Sequence, residues 1–146
     1  MKKNRIYISG PITDIENGNF DEFDKAEFYY TQNGYIVENP HRIAQVVRDV
    51  AIDMRADTPA YRDFLAYDIM VLSECDYMVV LPGYKESKGS QIEVAFAVAC
   101  NIPIYKVYTD EPLQLKTHVA IVTDYNNIDT PEKIYEVLED TINTLS

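Results

Sequence analysis

The sequence has few of the residues that hold metals or form disulfides. It contains two cysteines and two histidines and lacks tryptophan. Cys75 and Cys100 lie far apart in apolar surroundings, and neither His41 nor His118 has a partner at ligand spacing. A zinc site or a disulfide framework is therefore not predicted. We expect reduced thiols, a cytoplasmic protein, and no metal or other cofactor.

Basic side chains are also scarce. The chain has 13 Lys and Arg against 24 Asp and Glu, which gives a formal net charge of -11 at pH 7. A surface of this charge repels phosphate backbones, so we do not expect duplex nucleic acid as a partner. The same charge is compatible with a small-molecule ligand.

Long apolar runs are missing as well. The basic N-terminal residues are followed by only a few apolar ones, too few for a signal peptide or a membrane span, so no membrane partner is expected. The sequence shows no repeat or low-complexity tract, and 47% of its 146 residues are hydrophobic. These features predict one globular domain over residues 1–146 with a real core.

Short β-branched runs alternate with longer segments of helical period, which is typical of a parallel sheet with crossover helices. We predict an α/β protein with a single-domain, Rossmann-like (flavodoxin-like) three-layer fold and a central parallel sheet of about five strands. The predicted strands are 5–9, 35–38, 76–81, 103–108 and 119–123. The predicted helices are 20–32, 61–74, the segment that holds Glu93, and one that starts at Thr130-Pro131, with a weaker helical excursion over 41–59 that would suit a lid.

Ligands of such sheets bind beyond the carboxyl ends of the strands. Two loops lie there, residues 9–14 after the first strand and 81–90 after the third. Both precede helices, so their free N–H groups would suit an anion such as phosphate or carboxylate.

Glu93 can be interpreted in two ways. The stretch Ser90-Gln-Ile-Glu93 has the spacing of a capping box, in which the glutamate reaches back to the serine N–H. On spacing alone this is the simpler account, and the alternative is that Glu93 is the reactive group of an enzyme. Asp68 can also be interpreted in two ways, as a residue of a site or as a plain surface residue, because an acid on the exposed side of an amphipathic helix is common.

Three groups of residues are informative when their order and spacing are taken together: IYISGP at 6–11, Asp68 with Leu72 and Asp76, and GSQIE at 89–93. Together they resemble the nucleoside 2-deoxyribosyltransferase family and its relatives, the 2'-deoxynucleoside 5'-monophosphate N-glycosidases. The likeness covers about residues 5–107. The chain is even more similar to small members of this superfamily without an assigned role, many of them encoded in phages.

The resemblance implies cleavage or transfer at the N-glycosidic bond of a deoxynucleoside or its monophosphate. Glu93 would be the nucleophile that forms a covalent deoxyribosyl ester, Asp68 the acid that assists the leaving base, and Tyr7 the residue that orients Glu93. A catalytically inactive protein that binds or sequesters a nucleotide is the alternative. A third hypothesis is a structural protein in which Glu93 is only a cap.

The resemblance also implies a set of substrate-binding residues: Ser9, Gly10, Pro11, Ile12, Gly83, Ser87, Gly89, Ser90 and Asn126. Two of these positions give opposite indications of whether the substrate carries a 5'-phosphate. Ser87 matches the monophosphate hydrolases, whereas the transferases keep an aspartate there; Pro11 stands where the hydrolases place a phosphate-binding serine.

In the families resembled, a segment near the C-terminus reaches into the site of a neighbouring subunit. Asn126 or Asn127 would do so here, although a plain turn is the simpler account of this stretch. If the site is shared, the protein is a homo-oligomer.

Overall fold

A parallel sheet of four strands forms the centre of the protein in a computed structural model that describes residues 4–53 and 58–113. The strands are β1 (Arg5–Ser9), β2 (Ile36–Glu38), β3 (Tyr77–Val80) and β4 (Ile104–Lys106). The helices are α1 (Phe20–Gln32), α2 (Pro40–Asp53), α3 (Tyr61–Leu72) and α4 (Lys88–Ala99). Short 3-10 segments cover Glu16–Asn19 and Tyr84–Glu86.

The strand order is β2-β1-β3-β4, and every neighbouring pair is parallel. This confirms the predicted α/β class and Rossmann-like architecture. The described part of the chain contains four strands where about five were predicted, because the predicted strand 119–123 lies outside it. The predicted helix from Thr130 also lies outside the described residues.

The sheet is covered on both faces, which is why its strands read as nearly continuous apolar runs. On one face, side chains of β1 and β3 pack with residues of α2, α3 and α4; this cluster includes Tyr7, Met78, Leu72 and Val94. On the other face, the β1 and β3 side chains pack with residues of α1. Alternate residues of each strand therefore enter opposite core clusters, and the sheet lies between two helical layers.

The helix α2 corrects one expectation. Residues 41–59 were predicted as a weak helical excursion that would suit a lid; the helix is present over Pro40–Asp53, but it is not a lid. Ile43 and Val47 of this helix are buried in the core. The helix is therefore part of the packed layer, because its apolar positions recur at helical spacing.

The carboxyl ends of β1 and β3 lie side by side at one edge of the sheet, since Ser9 pairs with Val80. After β3, Gly83 takes a left-handed conformation with φ of 84°, which glycine adopts without strain. The chain then makes the short 3-10 turn Tyr84–Glu86 and enters α4. This path brings the first turn of α4 to the end of β1.

Within the described ranges, every helix is too short or too polar to cross a membrane.

Candidate active site

Glu93 is buried at the junction of α4 and β1. Its side chain is 5% exposed, although it carries a carboxylate. One carboxylate oxygen accepts a hydrogen bond from the hydroxyl of Tyr7, and the other accepts one from Ser9 Oγ at 2.8 Å. Both donors belong to β1, so a helix residue is tied to the end of a central strand.

These bonds show that the capping-box interpretation of Glu93 is wrong. The helix α4 begins at Lys88, and its N-cap is Ser87, whose Oγ accepts a hydrogen bond from the Ser90 N–H at 3.2 Å. Ser90 therefore lies inside the helix and cannot be its cap. Because Ser87 offers the same hydroxyl one turn earlier, the helix starts there, and Glu93 is left to interact with β1.

Burial dominates the ionisation of Glu93. Loss of solvent raises the pKa of its carboxyl from 4.5 to about 7, while the hydrogen bonds from Tyr7 and Ser9 act in the opposite direction. Burial and the neighbouring Glu93 charge raise the pKa of Tyr7 well above its usual value of 10.0. Tyr7 therefore remains a protonated hydrogen-bond donor at neutral pH.

Asp68, on α3, is a second carboxyl group in the same cavity. Its pKa is raised from 3.8 to about 8, first by burial and second by the charge of Glu93. A group with this pKa is mostly protonated at neutral pH, so Asp68 can donate a proton. The alternative account of Asp68 as a freely exposed surface acid is not what the structure shows.

The cavity that joins the two carboxyl groups has a volume of about 70 Å³. Besides Glu93, six residues of the predicted site line it: Gly10, Ile12, Asp68, Ser87, Gly89 and Ser90. An open depression of about 730 Å³ shares several lining residues with the cavity and adds Pro11 and Gly83. The structure thus brings the predicted residues of the two loops to one place, with Tyr7 and Ser9 behind Glu93.

The two glycines that line the cavity have different neighbours. A Cβ on Gly10 would lie 2.8 Å from the Cβ of Leu81, whose side chain is fully buried. A Cβ on Gly89 would lie 3.2 Å from the hydroxyl of Tyr61. Core packing therefore requires glycine at position 10, whereas a side chain at position 89 would closely approach only the hydroxyl end of the exposed Tyr61.

Comparison with known proteins identifies the family. Residues 4–106, more than half of the chain, match a family described as a domain of unknown function, DUF4406. The chain belongs to the DUF4406 family. No curated protein matches it in sequence.

A solved structure has the same fold as this DUF4406 domain. It is a conserved protein from Enterococcus faecalis V583, with a TM-score of 0.52 and 16% sequence identity. The similarity extends over 99% of this chain and 98% of the other. At this identity the likeness shows the shared fold alone.

Tyr61 is a residue of this candidate site that the sequence analysis missed. It begins α3, is 53% exposed, and lines both the inner cavity and the outer depression. Burial and the charges of Glu93 and Asp68 raise the pKa of its hydroxyl. Tyr61 precedes Asp68 by about two helical turns, so the two residues share a helix face, and this spacing is the signal that would have found it.

Asn126 and His118 lie outside the described residues. The expectation of a site shared between subunits depends on Asn126, so it stays a prediction.

Proposed function

We propose that the protein cleaves or transfers at the N-glycosidic bond of a deoxynucleoside or deoxynucleoside monophosphate, with Glu93 as the nucleophile. The reaction comes from the resemblance to the nucleoside 2-deoxyribosyltransferase family. The observation that carries the proposal is that the Glu93 carboxylate is held by Tyr7 and Ser9 at a cavity and plays no part in capping α4. A buried carboxylate costs folding free energy, and reactive sites are where such costs recur.

In the first step, a carboxylate oxygen of Glu93 attacks C1' of the sugar from the face opposite the base. A C–O ester bond forms as the C1'–N bond breaks, and the bonding electron pair leaves with the base nitrogen. Asp68 supplies a proton to the departing base and becomes a carboxylate.

In the second step, water or a second nucleobase attacks C1' and the ester bond breaks, which returns Glu93 to its carboxylate form. The proton lost by the attacking group goes to Asp68, so both groups regain their starting states. Water makes the protein a hydrolase, and a second base makes it a transferase.

The environments of the two acids support this division of roles. The hydrogen bonds from Tyr7 and Ser9 favour ionised Glu93, the form that a nucleophile needs. Asp68 has no hydrogen-bond partner among the described residues, and burial, followed by the charge of Glu93, raises its pKa and so favours its protonated form. The two carboxyl groups line one cavity, and Glu93 alone of the pair accepts hydrogen bonds from described residues, which favours Glu93 as the ionised nucleophile and Asp68 as the acid.

The decisive experiment replaces Glu93 by glutamine, which keeps size and polarity but cannot attack C1'. Each deoxynucleoside and each monophosphate is incubated with the protein, with and without free adenine, and released or exchanged base is followed by chromatography. We expect turnover by the wild type and a loss of at least about a thousandfold in Glu93→Gln, with ligand binding retained. Equal turnover by both proteins would contradict the nucleophile role.

A protein that binds a nucleotide without turning it over is the second candidate. Ser87 favours it, because the transferases keep an acid there and this chain instead uses the Ser87 hydroxyl as the N-cap of α4. In the same experiment, a wild type that releases no base while deoxynucleotides raise its melting temperature would support this function.

A further inference from the structure

The hydroxyl of Ser90 is a buried polar group without a partner. Ser90 is 1% exposed, and its Oγ has no hydrogen bond to any described residue. Buried hydroxyls in folded proteins nearly always have a partner, because an unpaired one costs free energy of folding. This exception therefore needs an explanation.

The local backbone does not provide one. The N–H of Ser90 already donates to Ser87 Oγ. A serine inside a helix often donates its hydroxyl to the carbonyl one turn earlier, which here belongs to Glu86. The described structure contains no such bond, so none of its backbone carbonyls explains the unpaired hydroxyl.

The position of Ser90 points to a ligand. Ser90 lines the same cavity as Glu93 and precedes it by about one turn on the same face of α4. It also lies in the first turn of the helix, where the partial positive charge favours an oxygen atom of a ligand.

We propose that Ser90 Oγ hydrogen-bonds the 3'-hydroxyl of the bound sugar and thereby selects substrates that carry this group. The inference depends on the proposed function, because it takes C1' of a deoxynucleoside to lie at Glu93. A nucleophile that displaces a base attacks from the opposite face of the sugar ring, and the 3'-hydroxyl is on that attacked face, whereas the 5' carbon is on the face of the base. The neighbour of Glu93 on the same helix face is therefore placed to meet the 3'-hydroxyl.

Binding of paired ligands to Ser90→Ala tests the inference. The ligands are the four common 2'-deoxynucleosides and their 2',3'-dideoxy counterparts, measured by calorimetry on the Glu93→Gln background so that no turnover occurs. We expect Ser90→Ala to weaken binding of the 2'-deoxynucleosides about tenfold and to leave the dideoxy ligands unchanged. Equal weakening of both ligand series, or of neither, would overturn the inference.

Thermal stability separates a ligand contact from a structural role. Ser90→Ala removes no hydrogen bond between described residues, and alanine favours the helix, so the melting temperature of the ligand-free variant should stay the same or rise. A clear fall would indicate a structural hydroxyl and count against the inference. Ser73→Ala is the control, because Ser73 is exposed at the end of α3, away from the cavity, and should not change the discrimination between the ligand series.

The two proposals fail in different ways. Absence of binding by every deoxynucleoside and deoxynucleoside monophosphate to the wild type would remove the proposed function and this inference together. Binding that discriminates against the dideoxy ligands equally with and without Ser90 would remove this inference alone.

Discussion

The hydroxyl of Tyr7 donates a hydrogen bond to the carboxylate of Glu93 across the boundary between β1 and α4. Tyr7 is fully buried, and Glu93 is 5% exposed. Together with the bond from Ser9, this contact fixes the carboxylate before any ligand arrives. Because the donors come from the rigid centre of the sheet, the geometry does not depend on a mobile loop.

Replacing Tyr7 by phenylalanine should destabilise the protein above neutral pH. The hydrogen bond from Tyr7 lowers the pKa of Glu93, so its loss raises that pKa further and leaves a buried carboxylate oxygen unpaired. We expect the free energy of unfolding, measured with urea at pH 8, to fall by about 1–3 kcal/mol. Tyr84→Phe is the matched control: Tyr84 belongs to the same core cluster, and its hydroxyl has no hydrogen bond to a described residue. An equal loss in both variants would contradict the prediction.

Asp68 and Glu93 should make the protein less stable as the pH rises. Their folded pKa values are about 8 and about 7, above the ordinary 3.8 and 4.5. Between about pH 4 and pH 8 the folded protein thus binds more protons than the unfolded chain, and the free energy of unfolding falls through that window.

Asp68→Asn removes one of these groups, so its stability should decline less over the same window. Each unit of pKa shift corresponds to about 1.4 kcal/mol. Between about pH 4 and pH 8 the free energy of unfolding of the variant should therefore rise by a few kcal/mol relative to that of the wild type. Urea denaturation at several pH values measures the difference. Glu22→Gln, which removes the same charge from the exposed surface of α1, is the control. If the free energy of unfolding changes with pH by the same amount in the wild type and in Asp68→Asn, the pKa of Asp68 is not raised.

The fold was largely predictable because its signals are local. The bounds of α1 and β1 agree with the predictions, since apolar periodicity and the Asn33-Gly34 stop are read from adjacent residues. Gly34 takes a φ of 92° after the helix, as such a stop requires. The helix α2 was predicted only weakly, because the mixed charge of its exposed face hides the buried positions Ile43 and Val47.

The structure brings many of the predicted site residues together, but their contacts could not be predicted from the sequence. The loops were placed together by the general rule for parallel sheets. The choice between a cap and a reactive group for Glu93 depended on which of two serines starts α4. Both Ser87 and Ser90 have suitable side chains, and the sequence does not reveal that Tyr7 and Ser9 come within reach of Glu93.

The role of Ser87 as the N-cap of α4 can be tested by two substitutions. Ser87→Ala removes the acceptor of the Ser90 N–H and should lower the free energy of unfolding by about 1 kcal/mol. Ser87→Asp restores a good cap and should stay close to the wild type. Urea denaturation of all three proteins provides the comparison. A loss of stability with aspartate as large as that with alanine would contradict the capping role.

The two glycines at the cavity should respond differently to alanine. Gly10→Ala places a methyl group against the buried Leu81, so we expect a loss of about 1–3 kcal/mol in the free energy of unfolding. Gly89→Ala meets the hydroxyl end of the exposed Tyr61, which can move, and alanine suits the helix better than glycine. Gly89→Ala should therefore fold as well as the wild type and bind ligands more weakly. Thermal melts with and without ligand measure both effects, and similar destabilisation by the two variants would contradict the distinction.

The rate of base release should depend on pH in a bell shape. Glu93 must be ionised to attack, which requires a pH above about 7, and Asp68 must be protonated to donate, which requires a pH below about 8. Asp68→Asn should abolish the alkaline limb and slow the release of ordinary bases by a factor of about 100 to 10,000. A substrate whose base leaves without a proton, such as 7-methyl-2'-deoxyguanosine, should be cleaved at nearly the same rate by the wild type and by Asp68→Asn, because its base needs no proton from Asp68. If Asp68→Asn slows the two substrates equally, Asp68 holds the site in shape and another group supplies the proton.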